Sequence, residues 1–382
     1  MSKSAQTELQ SIVQVEPWID RSELLELTRA IDSTFITENE LTREFESAIA
    51  QLTGARHAIA VCNGTLALFV CLKALGIAPG DEVIVPDLTF IASANAVILA
   101  GATPVLCDVA ADTFCIDMSR AEQLLTKQTR AIMPVHLYGQ SADMAAVLAF
   151  ARKHHLQVIE DAAEGIAVRF NGQHVGTFGD MGILSFYGNK TVTCGEGGIV
   201  LTNDASLAKA AYRLKNYGRD QKGSFIHHSI GFNFSFTDLH AAIGISQLKK
   251  MSRIVAQKKL LRDRYVAELQ DLPGFRLAPI DPRCEPVFWF SCFLCDAPES
   301  LAAFLAAQRI QTHRFFYPLH LQPCFADGLH VRNLHDDFAV SESLYRQGIC
   351  LPSSYSLNEA DQSHVITQIR RFYENRHQLP AA

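Results

Sequence analysis

In "ELTREFESAIAQLTG" the apolar residues Leu41, Phe45, Ile49 and Leu52 recur at intervals of three and four, the spacing of one helical face. Gly54 follows them and suits the left-handed cap that ends such a helix. The pattern then changes. "HAIAVC" is a short unbroken apolar run, as in a strand covered on both faces, and "NGTLALFVCLKALG" turns helical again from Asn63 or Thr65. Similar strand-like runs recur at "DEVIVPD", "TPVLCDV", "RAIMPVHLYG", "LQVIEDAA", "GILSFY" and "GGIVLTN". Helix-like stretches such as "MAAVLAFARKHH" lie between the earlier ones.

This alternation predicts an α/β fold built on a large, mostly parallel sheet with helices on both faces. Ligands of such sheets bind at the carboxyl ends of the strands. A long helical stretch begins near Thr237, and beyond "DLPGF" strands and helices become separate, ending in the amphipathic "SHVITQIRRFYENRH". The expected organisation is a large α/β domain over residues 1–250 and a smaller C-terminal α+β domain over residues 251–382.

Composition narrows the function classes. The 382 residues are 48% hydrophobic and 19% charged, ordinary for a globular chain. A net charge of −6 argues against a nucleic-acid partner, though an anionic small molecule needs only a local pocket. "MSKSAQTELQSIVQVEPWID" has neither a signal-peptide core nor a span of membrane length. No membrane association is expected. The ten cysteines sit in apolar surroundings and read as free thiols of a cytoplasmic protein. Cys292 and Cys295 lack a second cysteine pair or histidines, so no metal site is expected.

Three strand ends carry candidate chemistry. In "CNGTLAL" a strand enters a helix through Asn63, Gly64 and Thr65; free amides and the helix dipole there suit a phosphate, although an ordinary helix cap looks the same. In "VIEDAAEG" an apolar strand ends in Glu160 and Asp161, and a buried carboxylate needs a partner, which could be a neighbouring amide or arginine. In "SFYGNKTVTCGEGG" Ser185 lies on a strand, Lys190 follows the Gly188–Asn189 turn, and Gly195, Gly197 and Gly198 permit a tight return. Alone, each has a structural explanation. Together, a phosphate seat, a buried carboxylate and a pocket lysine are what pyridoxal 5′-phosphate requires. The lysine condenses with the aldehyde, and the carboxylate keeps the ring nitrogen protonated. Phe90 in "PDLTFIAS" suits either stacking on the ring or core packing.

Nearly the whole chain resembles the DegT/DnrJ/EryC1/StrS family of sugar aminotransferases, which has the aspartate aminotransferase (type I) fold. The resemblance rests on "CNGTLAL", "GDEVIVPDLTFIASANAV", "VHLYGQ", "VIEDAAEG", "GTFGDMGILSFYGNKTVTCGEGGIVLTND" and "FTDLHAAIGISQL" in that order. It implies that Lys190 carries the cofactor and shuttles the proton, and that Asp161 partners the pyridine nitrogen. Glu164 stands where many members place Gln or His near the ring hydroxyl. Gly64, Thr65 and Ser185 match phosphate contacts, and Phe90 matches the stacking aromatic. Asn233 matches an asparagine that reaches the neighbouring subunit's phosphate, so a homodimer with shared active sites is implied.

Within the family, "FYGNKT", "EDAAE" and "FFYPLH" are most like the members that move an amino group from L-glutamate to C4 of GDP-4-keto-6-deoxy-D-mannose, for polysaccharide such as O-antigen. By that resemblance His313, Arg314, Tyr317 and His320 lie near the nucleotide-linked keto sugar. Two departures remove a cation from its usual place: Ser235 replaces an arginine after the asparagine, and His313 replaces the arginine before the aromatic pair. Arg314 could substitute for one of them. A dTDP- or UDP-linked keto sugar or a keto-cyclitol stays open as the acceptor. A dehydratase of this fold carries His at the lysine position, so Lys190 argues against one. A non-catalytic paralogue would be expected to lose Lys190, Asp161 or Ser185.

Overall fold

The computed structural model describes residues 11–221, 223–326, 328–333 and 337–377. Its centre is a seven-stranded sheet of β1 (His57–Val61), β2 (Glu82–Pro86), β3 (Thr103–Cys107), β4 (Thr129–Ile132), β5 (Gln157–Asp161), β6 (Met181–Ser185) and β7 (Gly198–Thr202). The spatial order is β1-β7-β6-β5-β4-β2-β3. Neighbours from β6 to β3 are parallel, and β7 alone runs antiparallel to both β6 and β1. The sheet is thus mostly parallel, as expected.

Alternation along each strand sends its side chains into two different cores. On β2, Val83 and Val85 join one apolar cluster and Ile84 the other. Helix α1 (Gly64–Ala74) covers the first face with six consecutive buried residues, Ala67–Leu72. Helix α2 (Asp238–Leu269) and the earlier helix Glu40–Thr53 cover the second. In the latter, Leu41, Phe45 and Ile49 are buried and Gly54 adopts φ 80°, so the local pattern fixed both the face and the end.

Helix α2 is 32 residues long, capped by the Thr237 hydroxyl on the His240 amide. Residue 250 lies inside it without a break. Its first half packs against the large sheet's helices. Its second half contributes Leu261, Tyr265 and Leu269 to a third core around a four-stranded antiparallel sheet, ordered Phe275–Leu277, Ser291–Cys295, Gly348–Leu351, His313–Arg314. All ten cysteines are free thiols. Among the described residues no helix is long and apolar enough to cross a membrane, and no cluster of three or more His, Cys, Asp or Glu is arranged to hold a metal.

Candidate active site

The carboxyl ends of β1, β5 and β6 converge on a cavity of about 620 Å³. Its far wall comes from the C-terminal part of the chain, through Trp289, Phe290, His313 and Phe316. Of the residues singled out in the sequence, Asn63, Gly64, Thr65, Phe90, Asp161, Glu164, Ser185, Lys190 and His313 line it.

At one end lies the N-terminus of α1. The Asn63 side chain accepts the Leu66 amide at 2.9 Å, and the Asn63 carbonyl accepts that of Ala67. The amides of Gly64 and Thr65, first in the helix, have no helical carbonyl to bond. Ser185 at the end of β6 stands beside them, so close that a Cβ on Gly64 would lie 3.1 Å from its Cβ. An eleven-residue helix with open first amides and a neighbouring hydroxyl is a seat for a phosphate.

Asp161 ends β5. One carboxylate oxygen accepts the Ser93 hydroxyl at 2.7 Å and the other the Ala163 amide at 3.1 Å. These bonds aim a 4%-exposed carboxylate into the cavity. Glu160, one residue earlier, has a structural part: it accepts the amides of Gly176, Phe178 and Gly179 and pairs with His136.

Lys190 is held inside the same space. Its Nζ lies 3.5 Å from Glu164 Oε1 and 3.7 Å from the centroid of the Trp289 ring. Burial lowers its pKa, opposed by Glu164 and Asp161. Glu164 moves the other way: burial pushes its carboxyl up to about 7, against the pull of Lys190 and of the Tyr138 amide, which donates at 2.6 Å. A shielded amine and a shielded carboxyl whose pKa values are shifted toward one another can exchange a proton across the gap between them.

The three glycines after Lys190 do different jobs. Gly195 alone has positive φ (83°). A Cβ on Gly197 would meet the Phe236 ring at 2.8 Å, and one on Gly198 the Asn63 carbonyl oxygen at 2.4 Å. Gly198 therefore lets β7 pass directly under the phosphate seat. Cys194 is buried against α2 at Gly244, a packing position.

The other expected site residues do not line this cavity. Arg314 donates from its guanidinium to the carbonyls of Gly348 (3.0 Å) and Tyr345 (2.6 Å), which turns it away. Tyr317 packs edge-on against Tyr345, and His320 bonds to Asp87 at 2.8 Å. Asn233 is exposed outside the cavity, its side chain accepting the Ser235 amide at 3.3 Å. His227 and His228 are also exposed on that segment. Conversely, Trp289 and Gln14 reach the cavity from positions that no motif marked, while Tyr187 and Phe316 lie inside "FYGNKT" and "FFYPLH" without having been singled out there.

Residues 17–370 match the DegT/DnrJ/EryC1/StrS aminotransferase family. The chain belongs to this family. Its aminotransferases depend on pyridoxal phosphate, and the chain is a pyridoxal-phosphate-dependent transaminase. It is 39% identical over 370 residues to a GDP-perosamine synthase of Caulobacter vibrioides, covering 95% of this chain and 98% of the relative. To a GDP-perosamine synthase of Escherichia coli O157:H7 it is 36% identical, covering 94% and 98%. Among solved structures it is similar to DesV of S. venezuelae, with 34% identity, a TM-score of 0.87 and coverage of 92% and 94%.

The residues present fit the family's cofactor. The cradle at Gly64 and Ser185, the buried carboxylate at Asp161 and the enclosed amine at Lys190 supply a donor set for phosphate, ring nitrogen and aldehyde.

Proposed function

We propose that this chain transfers the amino group of L-glutamate to the C4 keto group of a nucleotide-linked 4-keto-6-deoxy sugar, GDP-4-keto-6-deoxy-D-mannose, yielding GDP-perosamine. The observation that carries the reading is an enclosed lysine 3.5 Å from the Glu164 carboxyl, in a cavity that Asp161 also lines, in a chain 39% identical to a GDP-perosamine synthase along almost its whole length.

In this reading Gly64, Thr65 and Ser185 hold the cofactor phosphate, Asp161 holds a proton on the ring nitrogen, Phe90 covers one ring face, and Glu164 lies toward the ring hydroxyl. The bound cofactor supplies an electron sink for the pair left when a C–H bond breaks. Lys190 does the rest: its amine would hold the cofactor and, once free, take the proton from the donor's α-carbon and, in the second half of the reaction, deliver a proton to C4 of the keto sugar. Asn233, exposed and outside its own cavity, serves the site of a second copy, so the working unit is a homodimer. The division into a large domain to about residue 250 and a C-terminal domain is kept, with α2 joining the two. The cytoplasm, where nucleotide sugars are made for polysaccharide, is the proposed location.

The test is chromatography of purified protein with pyridoxal phosphate, L-glutamate and GDP-4-keto-6-deoxy-D-mannose, beside dTDP- and UDP-linked keto sugars. A new amino sugar with equimolar 2-oxoglutarate is expected from the GDP substrate. Lys190→Ala should reduce turnover by at least ~10³-fold, as loss of the proton-moving group does. Normal turnover in that variant, or product only from another nucleotide, would overturn the corresponding part of the reading.

A further inference from the structure

Trp289 is 4% exposed and fixed from three sides. Its indole N–H donates to the Asn189 carbonyl at 2.8 Å, the residue just before Lys190. Its ring stacks on Phe290. Its carbonyl accepts the buried Lys258 ammonium at 3.0 Å. Lys258, midway along α2, makes its other bond to the Ser353 carbonyl at 3.4 Å. These bonds hold one ring face toward Lys190, whose Nζ sits 3.7 Å from the centroid with Glu164 on another side at 3.5 Å. A cation gains from an aromatic face when water is kept away, and more from an added anion.

We propose that the Trp289 face and the Glu164 carboxylate form a waiting site for the Lys190 ammonium while the amine is not joined to the cofactor, making Trp289 a positioning residue for the proton-moving group. The proposal rests on the reading of Lys190 as the lysine that carries the cofactor. The site keeps the freed amine beside the cavity rather than letting its four-carbon stem swing to solvent. The other charged or titratable groups around that space are Asp161, at the end of β5, Tyr187 and Glu196, before and after Lys190, His313, from the opposite wall, and Tyr138 behind Glu164.

Borohydride reduction of the pyridoxal-phosphate-loaded protein, followed by peptide mass analysis, comes first. Cofactor fixed on Lys190 in wild type and variants upholds the underlying reading; cofactor fixed elsewhere removes it, whatever Trp289 does. The protein is then loaded with pyridoxamine phosphate, leaving Lys190 free, and its acetylation by a trace of acetic anhydride is followed against pH. Trp289→Leu should lower the labelling midpoint of Lys190 by about one pH unit, the size of a desolvated cation–π contact. Trp289→Phe, which keeps a ring face, should shift it by less than about half of that. Glu164→Gln should lower it as well. A midpoint unmoved by Trp289→Leu in folded, cofactor-trapping protein would overturn the proposal. If the leucine variant does not fold, Trp289→Met, longer but without a π face, carries the same expectation.

Discussion

Glu164 has neighbours that pull on its proton in opposite directions, and the outcome has a consequence for stability. Burial disfavours the carboxylate, while Lys190 and the Tyr138 amide favour it; burial prevails and the pKa reaches about 7 against an ordinary 4.5. The folded protein therefore keeps a proton that the unfolded chain releases between these values. Unfolding releases a proton there, so rising pH favours the unfolded state and stability falls across that window. The total is on the order of 3 kcal/mol if the group acts alone. Glu164→Gln cannot ionise and should flatten this part of the curve. Urea midpoints of cofactor-free protein from pH 4.5 to 7 would check it; an equal slope in both proteins would contradict the assignment. The sequence alone could not reach this result. Glu164 was legible as a site position by its place in "EDAAE", but its partners lie 26 residues away in each direction, and burial is a property of the fold.

At the scale of elements, carboxylates far away in sequence hold helix starts. Asp238, the first residue of α2, accepts the amides of Asn39, Leu41 and Thr42 and the Thr42 hydroxyl, at 2.7 to 3.1 Å. It thereby fixes the N-terminus of the helix Glu40–Thr53 across 196 residues or more. Asp108 does the same for the helix Ala339–Gln347 through Val340 and Ser341. Asp238 is buried at 1% exposure, so its removal strands several donors out of water's reach. Asp238→Ala should cost about 3 kcal/mol or more, whereas Asp204→Ala, which removes an exposed local cap on Ser206 and Leu207, should cost clearly less. Denaturant unfolding of the two variants side by side tests the contrast; equal costs would mean the long-range cap contributes no more than a local one. Helix faces were legible because Leu41, Phe45 and Ile49 meet the core through spacing alone. Strands were legible from apolar runs. The direction of β7 was not, since "GGIVLTN" reads the same whichever way it runs between β1 and β6. Nor was the turn of Arg314 away from the cavity, set by carbonyls 31 and 34 residues further on.

For the whole molecule, the decisive join is between the end of β2 and the segment Phe316–His320, because the cavity lies between the parts they belong to. The Leu319 amide donates to the Asp87 carbonyl at 2.9 Å, the His320 amide to the Asp87 carboxylate at 2.8 Å, and His320 Nδ1 to the same carboxylate at 2.8 Å. On its other side His320 faces Glu342 at 3.5 Å and stacks on Phe338. At the segment's start the Phe316 amide donates to the Tyr138 hydroxyl at 2.8 Å, and Phe316 itself lines the cavity. His320 thus acts on the cavity wall through the backbone that it anchors. Burial works against its protonated ring, but Asp87 and then Glu342 outweigh that, and its pKa is raised above 6.5. A raised histidine pKa gives stability that is complete below pH 6.5 and fades as pH climbs through the folded-state value. His320→Gln should therefore lower the melting temperature most at pH 6, by the roughly one to three degrees that about 1–2 kcal/mol represents in a chain of this size, with the gap narrowing toward pH 9. It should also raise KM for the keto sugar while borohydride still fixes the cofactor on Lys190. A melting gap independent of pH would mean that the ring acts by packing on Phe338, and an unchanged KM would mean that the anchored wall does not touch the substrate.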